Sequence, residues 1–152
     1  MRIRAGIVLI KENNVALIER YRAGRHYFIF PGGGVEEGET AEQAAVREAM
    51  EELGIAVVIK QQVADVQVGQ QSRQIYFLVE DVAGEFGSGT GEEFSESNRD
   101  DPLKGIYIPT WMSINELPEH GNVYPADVAG LVVRSIEHGW LDEPSHLFEE
   151  PK

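Results

Sequence analysis

Between Gly33 and Ile55 the chain reads Gly-(x)5-Glu-(x)7-Arg-Glu-Ala-x-Glu-Glu-x-Gly-Ile, a glycine-rich loop that runs directly into a charged helix. With ~3.6 residues per turn, positions three and four apart share a helix face. Glu48 therefore stands beside both Glu51 and Glu52. Like charges at these offsets destabilise an isolated helix by roughly 0.2–0.5 kcal/mol per pair. Arg47, four residues before Glu51, is placed to offset one pair only. Such crowding is unfavourable unless a cation sits among the carboxylates. Ala45, Val46, Ala49, Met50 and Leu53 read as the opposite, apolar face, which puts the carboxylates away from the core or at its edge.

The ends of this helix are marked. Thr40 is a good N-cap and Gln43 completes a capping box. Gly54 sits where a C′ glycine belongs, so the helix is expected over residues 41–53. Before it, Pro31-Gly32-Gly33-Gly34 allows close approach of backbone to a ligand. Several carboxylates plus a carbonyl form a hard oxygen set, suited to Mg²⁺ or Mn²⁺ and not to Zn²⁺ with its preference for nitrogen and sulfur. A glutamate-rich helix face is usually only a solvated one. Here loop, caps and charge spacing agree.

At every fixed position but one, this run resembles the signature of the Nudix hydrolases, the MutT-related family. The departure is Ala49, where that family usually carries a larger aliphatic residue. The resemblance implies an α/β fold, a Nudix-type α/β/α sandwich with a mixed β-sheet. It also implies a hydrolase that cuts a diphosphate linkage in a nucleoside diphosphate derivative, using divalent metal and water. By position, Glu51 and Glu52 match the family's principal metal ligands, and Glu48 the group that either binds metal or takes the water proton. Arg47 matches the arginine that orients the carboxylates, and Glu39 the outer glutamate that supports the loop–helix junction. The carbonyl of Gly32 matches a common backbone metal ligand, and Gly33 and Gly34 belong to the loop that meets the substrate. The equipment suits the chemistry, because metal ions neutralise phosphate oxygens and lower the pKa of a bound water, and a carboxylate can act as base.

At 152 residues, the chain is read as one domain, residues 1–152, able to bury a substantial core. Its net charge of −13 disfavours long DNA or RNA as a partner, since no dense basic patch is visible. A small nucleotide remains compatible, because it arrives with its metal. Cysteine is absent, which excludes disulfides and thiol catalysis and fits a reducing, cytoplasmic setting. Residues 1–4 enter a strand pattern rather than a signal peptide, and no apolar run is long enough to span a membrane. Members of the resembled family are often dimers, so a homodimer is an expectation of the resemblance, although no interface is readable.

The rest of the chain gives a coarse pattern. Residues 3–10 and 15–21 read as a hairpin, 27–30 as a short aromatic strand, 55–68 as one or two strands and 74–82 as a strand. Residues 106–111 form another, which Pro109 marks as an edge or a bend. Residues 113–117 suit a helical turn, and 125–138 an amphipathic helix closed by Gly139. The glycine-rich, acidic segment 84–105 suits no regular element and reads either as a surface loop or as a lid. Within it Glu92, Glu93 and Glu96 are candidates for an added metal ligand or base, and Phe86 and Phe94 either stack a base or anchor the loop.

Arg22 and Arg25 precede the strand that feeds the glycine loop and are candidates to hold phosphates, with Arg73 a further one. In the pairs Tyr27–Phe28 and Tyr76–Phe77, one ring should point into the core while the other faces a base, with Tyr76 as the substrate candidate. The four histidines are scattered without metal-site spacing. A nucleoside triphosphate, oxidised forms included, competes as substrate with nucleotide sugars, ADP-ribose and dinucleoside polyphosphates. A nucleotide-sensing module and an acidic protein-interaction domain are the alternatives of other classes.

Overall fold

A computed structural model describes residues 2–88 and 105–149. The expected hairpin is β1 (Arg2–Lys11) and β2 (Asn14–Arg22), followed by β3 (Arg25–Ile29) and β4 (Gly32–Gly34). Next come helix α1 (Ala41–Leu53), β5 (Ile55–Val68), β6 (Ser72–Gly84) and β7 (Ile106–Ser113). A 3₁₀ turn (Ile114–Glu119), β8 (Val123–Tyr124), helix α2 (Ala126–His138) and β9 (Ser145–Glu149) complete the described chain.

The strands run in the order β8-β3-β2-β1-β6-β5-β9, with β4 added to β1 and β7 to β2. Parallel pairs β1–β6, β3–β8 and β5–β9 stand among antiparallel ones, so the sheet is mixed. β1 and β2 pair only through Ile10 and Lys11 before β1 turns to β4 at Arg4, Ala5 and Gly6. The sheet splits there, and a cleft opens between β1–β6 on one side and β3–β8 on the other.

Each face of the sheet has its own core, giving the α/β/α sandwich. Under α1 pack Ala5, Ile7, Ile18, Phe77 and Val79 with Ala44, Ala45, Ala49 and Leu53 of the helix. Under α2 pack Val8, Leu17, Phe30, Val66 and Tyr76 with Val128, Leu131 and Val132. Tyr76 and Phe77 are therefore both buried, on opposite faces, which corrects the expectation that only one of the pair would be core.

The caps of α1 form as expected. Gln43 N–H donates to Thr40 Oγ1 at 3.1 Å, and Thr40 N–H donates to Gln43 Oε1 at 2.9 Å. Gly54 ends the helix at φ 77°, where its N–H reaches Met50 O. The faces of the helix differ from the sequence reading. Val46 and Met50 are 37% and 46% exposed, whereas Glu48 and Glu52 are 8% and 2% exposed. The helix approaches the sheet on alanines, and that close approach carries the two carboxylates inward toward the glycine strand.

Segment 55–68 is a single strand whose register shifts, at three places against β6, let Ile55 and Val57 face α1 while Val63 and Val66 face α2. β7 pairs with β2 alone, as an edge strand should when it contains Pro109. The strands β4, β8 and β9 are additions to the sequence reading. No helix among the described residues is long and apolar enough to cross a membrane.

Candidate active site

Arg47 organises the acidic helix. Its Nε and Nη2 donate to the two oxygens of Glu39 at 2.8 and 3.0 Å, a bidentate pair. Nη1 donates to Glu48 Oε1 at 2.9 Å and to Glu51 Oε2 at 3.2 Å, and Nη2 also reaches Gly34 O at 3.0 Å. One guanidinium thus serves three carboxylates and a loop carbonyl, where the spacing promised relief of a single pair. Its pKa is raised, first by the hydrogen bond to Glu39. Glu39 also accepts from Glu36 N–H at 3.0 Å, and the Arg47 hydrogen bond holds its carboxyl down at about 2.

Glu48 is different. Burial, ahead of the opposing pull of Arg47, pushes its carboxyl above the usual range. The main chain of Gly33 passes so close that a Cβ there would lie 2.2 Å from Glu48 Oε1. Glu52, on the same inner side, accepts the Gly32 N–H through Oε1 at 2.7 Å. Glycine is required at 33 for this approach, independent of any special backbone angle.

The donor set fits a hard divalent cation. Glu48, Glu51 and Glu52 supply carboxylate oxygens at helical spacing, and a cation beside Glu48 would offset the burial that raises its pKa. Among the described residues these groups do not converge on one point. Arg47 draws Glu48 and Glu51 toward itself, while Gly32 holds Glu52. The Gly32 carbonyl, expected as a backbone ligand, accepts from Arg4 Nη2 at 3.4 Å.

Beyond Arg4 lies a cavity of about 250 Å³ lined by Arg4, Phe30, Gln74, Tyr76, Tyr124 and Glu149, with apolar neighbours. Phe30 and Tyr76 meet edge to face at 6.0 Å. The Tyr76 hydroxyl donates to Gln74 Oε1 at 2.6 Å, and burial raises its pKa well above the ordinary tyrosine range. Gly6 makes this arrangement possible, since a Cβ there would lie 2.3 Å from Tyr76 Cε1. A larger groove of about 430 Å³ between the 3₁₀ turn and α2 contains no member of the acidic cluster.

Several sequence candidates lie elsewhere. Arg25 stands over the Tyr27 ring at 5.1 Å, at the exposed β2–β3 turn where it pairs in register with Arg22, and neither residue lines the cavity. Arg73 is paired with Asp65, Nε to Oδ1 at 2.8 Å. Phe86 stacks on Trp111 at 4.6 Å, so it anchors the start of the segment. Glu92, Glu93, Glu96 and Phe94 lie outside the described residues. Arg4, Gln74 and Glu149 line the cavity without being sequence candidates. The available signal was alternation: Arg4 and Gln74 are polar positions on strand faces whose next members, Gly6 with Val8 and Tyr76, face the α2 core.

A family model for the NUDIX domain matches residues 1–128, and the chain belongs to that family. An RNA pyrophosphohydrolase of Psychromonas ingrahamii is 46% identical over 48 residues, 32% of this chain and 26% of that protein. An 8-oxo-dGTP diphosphatase of Proteus vulgaris is 43% identical over 61 residues, 38% of this chain and 53% of that protein. The similarity to these relatives thus spans about a quarter to a half of their length. Among solved structures, a NUDIX hydrolase from Nitrosomonas europaea superposes with a TM-score of 0.70 at 19% identity, covering 98% of this chain and 77% of that one. An ADP-ribose pyrophosphatase from Streptococcus suis superposes at 0.66 and 14% identity, covering 97% and 98%. At such identities these structures speak to the fold alone.

Proposed function

We propose that the chain is a metal-dependent hydrolase of the diphosphate linkage in a nucleotide derivative, with a nucleoside triphosphate, oxidised forms included, cut to monophosphate and pyrophosphate. The observation that carries this reading is the position of β4. Its Gly32 N–H meets Glu52 of the acidic helix, and its Gly32 carbonyl meets Arg4, which lines the cavity. In this reading a base in the cavity directs its phosphates along the three-glycine strand toward the carboxylates. At Gly34 there is open space where a side chain would stand. The names of the sequence relatives support a nucleotide substrate. In this reading both ends of the chain serve one domain, because β1 supplies Arg4 and β9 supplies Glu149.

Glu48, Glu51 and Glu52 would hold Mg²⁺ or Mn²⁺, with the Gly32 carbonyl as a further oxygen donor. When bound, the cation neutralises phosphate oxygens and makes a bound water acidic enough to attack. Glu48 either completes the ligand set or takes the water's proton. Arg47 keeps the carboxylates in register with the loop through Glu39 and Gly34, as a positioning residue. The buried rings of Phe30 and Tyr76 exclude water from the base, while Arg4 meets the phosphates as they leave the cavity.

The test is release of phosphate and pyrophosphate, with Mg²⁺ or Mn²⁺, across triphosphates, 8-oxo forms, ADP-ribose, nucleotide sugars and diadenosine polyphosphates. Triphosphates should yield pyrophosphate, and excess EDTA should abolish turnover. Turnover that persists in EDTA rules out the metal assignment. A panel in which only nucleotide sugars or ADP-ribose are cut replaces the substrate assignment.

A further inference from the structure

Glu149 lies beyond the stretch matched by the family model, so the family signature does not assign it. It stands in the last described strand and yet forms part of the cavity wall. Its position is fixed three ways. β9 pairs in parallel with β5, with Glu149 opposite Val68. Gly69 N–H donates to Glu149 O at 3.1 Å. The side chain accepts the Ala126 N–H at the start of α2 through Oε1 at 2.9 Å. Glu149 makes a further interaction besides these, and with roughly four acceptor positions on a carboxylate it can still accept from a ligand.

Glu149 faces groups of complementary kind. Arg4 and Glu149 both line the cavity, which puts a cation and an anion around it. The Tyr76 hydroxyl occupies Gln74 Oε1, so the Gln74 amide has its N–H₂ to offer. The wall thus combines one strong acceptor with donors from Arg4 and Gln74, beside the packed rings of Phe30 and Tyr76.

We propose that Glu149 selects the base, and that it selects a guanine-type edge over adenine. This rests on the nucleotide reading of the site given above. A guanine edge presents a ring N–H and an exocyclic N–H₂ side by side, next to a carbonyl oxygen. The carboxylate of Glu149 accepts from the two adjacent donors, and the Gln74 amide donates to the carbonyl. Adenine presents a ring-nitrogen lone pair where guanine has its ring N–H, and that lone pair would face the carboxylate. Hypoxanthine keeps the ring N–H and the carbonyl but lacks the exocyclic amine, so it should fall between. A site built to hydrogen-bond a donor rejects an analogue lacking it more strongly than an apolar pocket does.

The deciding experiment measures kcat/KM for GTP, ITP and ATP with Mg²⁺, in the unaltered chain and in Glu149→Gln. Glutamine keeps an oxygen for the Ala126 N–H and preserves β9, but it replaces one acceptor with an N–H₂ that suits adenine. A purely structural role for Glu149 would therefore leave the base preference alone. GTP should exceed ATP by at least about tenfold, with ITP between, and the ratio should fall about tenfold in Glu149→Gln. Affinities for α,β-methylene analogues of GTP and ATP, measured on both proteins, should show the same shift. A GTP:ATP ratio near one, or a ratio unchanged in Glu149→Gln, overturns the proposal and leaves the hydrolase reading standing. No turnover and no analogue binding overturns the nucleotide reading and this proposal with it.

Discussion

On one side of β4 the acidic groups come from a single run, residues 39–52, in which one arginine holds Glu39, Glu48 and Glu51. On the other side the cavity wall is drawn from β1, β5, β6, β8, β9 and the end of β3, and its polar members meet only in the folded chain. The first region depends on local spacing, so helix geometry brings its carboxylates together wherever the helix forms. The second depends on strand register: Arg4 sits opposite Gln74, Gly6 opposite Tyr76 and Val68 opposite Glu149. In the proposed function the contiguous side carries generic diphosphate chemistry, and the dispersed side carries the choice of base. If that division is real, each side can be damaged with its own kinetic signature.

The largest effect is expected on the carboxylate side. Glu52→Gln should lower kcat/KM by roughly a thousandfold, within the usual range for loss of a catalytic carboxylate. The GTP:ATP ratio should stay where it was, because Glu52 does not line the cavity. Glutamine still offers an oxygen to the Gly32 N–H, so the fold should survive, which a melting curve checks. A variant that keeps full activity removes Glu52 from the metal site. One that loses its base preference together with its rate shows that the two sides of β4 are not separable.

An intermediate effect is expected from the cavity side. Gly6→Ala places a Cβ 2.3 Å from Tyr76 Cε1 and forces the ring to move. Overpacking of this kind costs about 1–3 kcal/mol of stability, measurable by urea unfolding. The displaced ring should raise KM about tenfold while kcat changes little, the pattern of lost ground-state binding. A fall in kcat at constant KM would instead mean that Tyr76 supports the carboxylates and not the base.

The legibility of the two sides follows from the same physics. Thr40, Gln43 and Gly54 bound α1 through contacts within a few residues, so its limits were readable and agree with the structure. Which residues of α1 face inward was not, because that depends on what lies beneath. Ala44, Ala45 and Ala49 let the helix sit close to the sheet, and the glycines at 32 and 33 accept Glu52 and Glu48 where apolar periodicity favoured Val46 and Met50. Tyr76 was identifiable as an aromatic on a strand, but not as a residue whose ring needs Gly6 on a neighbouring strand. β9 is a five-residue strand with Phe148 exposed, too short and too weakly patterned to mark Glu149 as part of a cavity.

The smallest effect concerns the metal-free protein and isolates Glu48 from Glu39, two carboxylates on the same arginine with opposite shifts. The folded pKa of Glu48 is raised by burial, so the native state binds its proton more tightly than the unfolded chain does. Stability must then fall as pH rises from the unfolded value of 4.5 through the raised one, and the deficit is complete above it. Glu39, held at about 2, contributes stability that is fully present above 4.5 and is lost only as pH falls toward 2. Between pH 7 and 5 the Glu48 contribution should therefore change while that of Glu39 stays constant. Without metal, Glu48→Gln should be stabilised relative to the unaltered chain at pH 7, and the difference should shrink at pH 5. Saturating Mg²⁺ should reverse the order at pH 7, because the cation favours the ionised carboxylate that burial disfavours. Melting curves of both proteins at the two pH values, with and without Mg²⁺, read all of this. A difference that is independent of pH and metal would place Glu48 in an ordinary ion pair with Arg47, and the carboxylate side of β4 would lose the group that distinguishes it from a solvated helix face.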